Sequence, residues 1–192
     1  MPKKVVEKIE IIQTGNPILR KISVAVPLGK IKSPEIKSII AKMKAAINSQ
    51  ADAIAISAVQ IAEPVRIFVI SKKVFKIADN GLTPTQEKSA DTRHDLVFIN
   101  PKIIKVAKKK QELEEGCLSI RYVYGKVLRP EKALLEAYDE NGKKFSRGFS
   151  GLFAQCVQHE TDHLNGILFT DIAEDLHEIS HEDYEKVLAE NK

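Results

Sequence analysis

Between Pro34 and Gln50 the apolar positions fall at Ile36, Ile39, Ile40, Met43 and Ile47, a spacing that predicts an amphipathic helix. Further on the pattern changes. "VRIFVIS" (65–71) and "LVFINPKIIKV" (96–106) are rich in β-branched and aromatic residues and read as strands, the second interrupted by Pro101. Between them, 76–95 is polar, with turn formers and no apolar period, and reads as a long exposed loop. "KALLEAYDENGKKFSRGFSG" (132–151) has the form of a hairpin turning at Asn141-Gly142. "GLFAQCVQHETDHLNG" (151–166) reads as a helix burying Leu152, Cys156, Val157 and Leu164 and ending at Gly166. Taken alone, "AIAISAVQ" (53–60) reads as an apolar core segment. The order predicts an α+β fold: mixed or antiparallel strands packed around a buried helix, without internal repeats.

Composition narrows this picture without changing it. The 192 residues suit one domain with a substantial core. A formal charge of +4 is too small to mark a specific nucleic-acid binder. The sign is uneven, with a lysine-rich start and an acidic end, which reads as two solvated faces. No apolar stretch approaches the ~20 residues that span a bilayer, and "MPKKVVEKIE" has no apolar signal-peptide core, so a cytoplasmic chain with no membrane partner is expected. In that setting Cys117 and Cys156 stay reduced.

Candidate chemistry enters with two copies of one pattern. "HETDH" (159–163) and "HEISH" (177–181) both satisfy H-E-x-x-H, in which two histidines one helical turn apart grip an ion and the glutamate works on water. Context separates them. The first lies in an apolar helix, where histidines and a glutamate are costly unless hydrogen-bonded or metal-bound. The second lies among acids, with only Leu176, Ile179, Val187 and Leu188 to form an apolar stripe, and reads as a solvated, dispensable helix. A catalytic site needs a third ligand and an open position. "EEGCLS" offers Cys117, although a buried structural role is the commoner one for such a cysteine. Cys156 competes, but its place one turn before His159 favours packing.

"EEGCLS" (114–119) with "QHETDHLNGILFTD" (158–171) resembles the second and third motifs of peptide deformylase, the metalloenzyme that removes the formyl group from nascent chains. The resemblance covers most of residues 8–171, including "TGNPILRK" (14–21) and "VYGKVLRPEKALLEAYDENGKKF" (123–145), and implies a single catalytic domain over 1–171 followed by an acidic helical tail over 172–192. It implies one divalent ion on Cys117, His159 and His163, Fe(II) in the cell, with zinc or nickel fitting the same donors. It makes Glu160 the general base and acid, and gives the oxyanion donors as the Gln60 side chain and the Leu118 N–H. It also pairs Glu115 with Arg129 behind the cysteine loop. Ile54, Ala55, Leu113, Gly116, Leu152 and Cys156 match positions against the substrate, the methionine side chain lying in an apolar pocket. The implied partners are N-formylmethionyl peptides and nascent chains, leaving transient contact with the ribosome open.

The chain departs from the family's first motif, Gly-x-Gly-Leu-Ala-Ala-x-Gln. Ala53 and Ala55 replace both glycines, and Ser57 replaces an alanine, while Arg121 stands where the family usually has proline. On an extended strand Ala53 and Ala55 would share a face, and their methyls either crowd the substrate or pack inward. Crowding would slow the enzyme, and glycine at 55 would then raise kcat/KM. Two other readings fit the metal residues: a deformylase-like module that binds or regulates without activity, and an H-E-x-x-H metallopeptidase. Cysteine as third ligand is rare in the latter.

Overall fold

The computed structural model describes residues 9–79 and 94–190. Helix α1, Pro34–Ser49, begins where Ser33 Oγ accepts from the Ile36 N–H and Pro34 occupies the first turn. The five apolar positions read from its sequence are all buried. Strands β1 (Ala55–Ser57), β2 (Ile67–Ile70), β3 (Leu96–Val106), β6 (Lys132–Tyr138) and β7 (Lys144–Ser150) form one antiparallel sheet in the order β1-β2-β3-β6-β7. Strands β4 (Lys110–Cys117), β5 (Ile120–Pro130) and β8 (Glu174–Glu178) form a second, also antiparallel.

The unbroken apolar run of β2 follows from its place between two layers. Ile67 and Val69 face the core under α1, whereas Phe68 and Ile70 face helix α3, Gly151–Leu164. Every face of α3 must therefore accept burial, and its polar side chains bond back into the protein. Thr161 Oγ1 donates to the Val157 carbonyl at 2.6 Å, and Gln158 Nε2 to those of Ala154 and Pro130 at 2.8 and 3.0 Å. The helix stops at Gly166 (φ 75°), where a Cβ would meet the Arg20 carbonyl oxygen at 2.5 Å.

Several expectations change on contact with the structure. Pro101 does not interrupt β3; it sits at a bulge between Ile99 and Lys102, where no ladder donor is needed. Asn100 beside it has φ 52°, and its side chain closes on both Val26 backbone groups at 2.8 and 2.7 Å. The expected loop 76–95 begins inside a short helix, α2 (Lys73–Asp79), and its stretch 80–93 lies outside the described residues. The segment after 171, expected as a helical tail, is not helical throughout. It supplies β8, paired to β5, and only then helix α4, His181–Glu190.

Candidate active site

Helix α3 and the β4–β5 hairpin bring the site together. The hairpin turns through Leu118 and Ser119, with Cys117 opposite Ile120. A Cβ on Gly116 would meet Tyr124 Cε1 at 2.7 Å, so glycine is what lets this aromatic lie against the cysteine loop. His159 and His163, one turn apart on α3, face Cys117, and donor atoms of the three residues all lie within 4.8 Å of one another. Cys117 Sγ is 3.2 Å from His163 Nε2. Among the described residues this is the group of potential metal donors that converges.

A buried ion-pair network braces this donor group. Glu115 takes Arg129 on both oxygens at 2.9 and 3.0 Å and His159 Nδ1 on Oε2 at 2.9 Å. Arg129 also reaches Asp162 at 2.5 Å. The pairing anticipated for Glu115 and Arg129 is therefore present, and it extends to His159, leaving that ring's other nitrogen for an ion. Burial pushes the Glu115 carboxyl up, but the bonds from His159 and Arg129 prevail and hold it at about 2. Burial likewise raises the Cys117 thiol, while His163 and His159 prevail and bring it to about 5, which favours thiolate. Bonds to Cys117 and Glu115 raise His159 well above its usual range against its burial. Cys156 is opposite in character: burial and the nearby Glu160 and Glu115 raise its thiol, which favours the neutral form.

A metal fits this constellation. The donors are one thiol already inclined to ionise and two imidazoles, a set that suits zinc, iron or nickel, and one histidine is anchored by a carboxylate. His163 Nδ1 is buried without a hydrogen bond, so only one of the two rings is braced from behind.

Glu160 is buried beside the donors, and Ser57 Oγ donates to its Oε2 at 2.6 Å. Burial raises the carboxyl's pKa, while His159, His163 and Ser57 oppose the rise. The Ser57 N–H also holds Gln60 Oε1 at 2.8 Å, which aims Gln60 Nε2 at Ser119 Oγ (3.1 Å) and Cys117 Sγ (3.5 Å). Leu118 is fixed through its carbonyl, which accepts from Gln13 Nε2 at 3.1 Å. Gln60, Cys117, Leu118, His159 and Glu160 border one cavity of about 270 Å³, together with Ile54, Ala55, Gly116, Leu152 and Cys156. Leu113 stays outside it, half-buried opposite Val127 on β5.

Comparison with known proteins decides what this arrangement is. The profile of the polypeptide deformylase family matches residues 8–178. The chain belongs to the peptide deformylase family. It is therefore a hydrolase of protein biosynthesis, metal-dependent, that removes N-terminal formyl groups. The peptide deformylase of Psychrobacter cryohalolentis is 38% identical over 165 residues, covering 85% of this chain and 78% of that protein. That of Christiangramia forsetii is 36% identical over 169 residues, covering 85% and 80%. The Synechococcus elongatus deformylase, solved in complex with actinonin, superposes with a TM-score of 0.73 at 31% identity, over 98% of this chain and 91% of that one. Nothing in these likenesses favours a metallopeptidase or a module without activity.

Other features of the deformylase site were not legible beforehand. The two alanines do not share a face. Ala55 packs with Phe68 and α3, Ala53 in the core under α1, and they are 9% and 1% exposed. Both border the cavity, yet their methyls are taken up in packing. The second H-E-x-x-H does not form a helical pair, since His177 lies on β8 and His181 opens α4. Asp52, Tyr122, Tyr124 and Tyr184 also line the cavity, and no motif pointed to them.

Proposed function

We propose that Cys117, His159 and His163 hold one divalent ion, Fe(II) in the cell with zinc or nickel as substitutes, and that Glu160 drives hydrolysis of the formyl amide of N-formylmethionyl peptides. Held by Cys117, His159 and His163, such an ion would supply Lewis acidity toward the formyl carbonyl and the attacking water. Glu160 accepts the proton of the attacking water and returns it to the leaving amine. Its raised pKa suits both halves of that transfer, and Ser57 keeps one carboxylate oxygen occupied so that the other is directed. Gln60 Nε2 and the Leu118 N–H donate to the oxygen that gains charge as the carbonyl is attacked. Ile54, Leu152 and Cys156 offer the methionine side chain an apolar wall. The observation that carries the reading is the convergence of three donor atoms within 4.8 Å of one another, two of their residues bordering the same cavity as the buried Glu160 carboxyl.

A reduced Cys117 fits a cytoplasmic setting, where transient contact with the ribosome would put the enzyme beside its nascent substrates. No helix among the described residues is long and apolar enough to cross a membrane. The test is anaerobic purification with elemental analysis of the parent, Cys117→Ser and Cys156→Ala. One iron per chain is expected in the parent and in Cys156→Ala, and none in Cys117→Ser. Equal loss from both cysteine variants would refute the ligand set.

A further inference from the structure

The wall of the cavity away from the metal donors is built by a cluster for which the deformylase motifs give no reason. Arg121 donates from one terminal nitrogen to Asp52 Oδ2 at 2.8 Å and the Tyr184 hydroxyl at 2.9 Å, and from the other to Gln50 Oε1 at 2.8 Å. Tyr184 closes the triangle, donating to the same Asp52 oxygen at 2.6 Å. Tyr184 as a whole is 7% exposed, although it sits on the acidic helix α4, and its ring packs edge-on against Tyr122 with centroids 5.2 Å apart. Tyr122 holds a left-handed backbone (φ 66°), a conformation that costs energy for a bulky residue, and its carbonyl accepts from the Ile179 N–H at 2.9 Å. Beside it, His177 of β8 stacks on Tyr124.

Arg121, Asp52, Tyr122, Tyr124 and Tyr184 all border the cavity that contains Cys117 and Glu160. We propose that Tyr184, locked by Arg121 onto Asp52, is a specificity-determining residue that binds the peptide beyond methionine, so that the segment Glu174–Glu190 is part of the substrate groove. The chemistry fits an extended peptide. Tyr184 and Tyr122 give aromatic surface for a side chain. Arg121 and Asp52 are positioning residues that fix the Tyr184 ring. Segment 174–190 could not hold this place alone; the pairing of β8 with β5 and the Arg121 triangle tie it there.

This inference rests on the deformylase reading, and the experiment separates the two. The full metal-loaded chain and its Tyr184→Ala, Tyr184→Phe and Arg121→Gln variants are assayed on formyl-Met-Ala-Ser and on formyl-methionine amide. The kcat/KM for the tripeptide relative to the amide should fall about tenfold in Tyr184→Ala, and about threefold in the other two, through KM. Calorimetric titration with unformylated Met-Ala-Ser should show correspondingly weaker binding. Tyr184→Phe removes only a hydroxyl and keeps the test open if Tyr184→Ala does not fold. Equal loss on both substrates, or Met-Ala-Ser binding to Tyr184→Phe as tightly as to the parent, would overturn the proposal. A parent that cleaves neither substrate would overturn the deformylase reading, and the titration would still decide the groove.

Discussion

Glu160 and Ser57 show how much of the chemistry sits in single side chains. Glu160→Gln keeps shape and the Ser57 bond but cannot take a proton, so turnover should fall at least about a hundredfold with the metal still bound, as metal analysis beside kinetics would show. A near-parental rate would remove Glu160 from the mechanism. His159, Glu160 and His163 were legible as a group because motif spacing translates directly into helical geometry, whereas Cys117 came only with the family resemblance. The alanines were not, because a methyl's direction depends on strand boundaries. β1 starts at Ala55, leaving Ala53 outside the alternation that would have aligned the two. Since both methyls are buried, Ala53→Gly should not raise kcat/KM. It should lower Tm by about 3 °C, from a lost buried methyl plus added backbone freedom in the unfolded chain. An unchanged Tm with faster turnover would show that the methyl faces the substrate instead.

At the scale of elements, α1, β2, the β6–β7 hairpin and α3 were readable from periodicity and turn chemistry. The β4–β5 hairpin was not, although it carries Cys117. Its strands hold charged residues on both faces, and the inward Glu115 is masked as a surface acid until Arg129 and His159 are seen around it. β8 was hidden for a similar reason, with all five of its residues exposed and no apolar alternation to mark it as a strand. Deleting the chain from Glu174 onward separates the roles of these elements. Metal content should stay near one per chain, because no ligand is removed, while KM for formyl-Met-Ala-Ser rises as the Tyr184 wall is lost. Loss of the ion on truncation would place a ligand in the deleted segment.

Across the whole molecule, a sheet packs between α1 and α3, and a smaller sheet presents Cys117 to the buried helix. The network of Glu115, Arg129, Asp162 and His159 joins the smaller sheet to the helix. Glu115 has its carboxyl pKa lowered to about 2 in the folded protein, so its contribution to stability is complete above its ordinary pKa near 4.5 and is lost as pH falls toward 2. Acid titration of the metal-free protein should therefore show stability falling across that window, and Glu115→Gln should flatten the fall. A variant with the parent's acid profile would mean that the carboxylate contributes nothing there. The fold class followed from the sequence because layers and periods leave few alternatives. The packing of the C-terminal segment against the site did not, because the bonds joining Asp52, Arg121 and Tyr184 span up to 132 residues.

The central claim, that this cavity removes formyl groups with Cys117, His159, His163 and Glu160, is tested most directly by formate release. Anaerobically purified protein carrying one iron per chain is given formyl-Met-Ala-Ser, and formate and free amine are measured together. Formate should appear in step with Met-Ala-Ser over many turnovers, and neither should form with Cys117→Ser. Iron-loaded protein that binds the peptide but releases no formate would contradict the account and leave a binding module in its place.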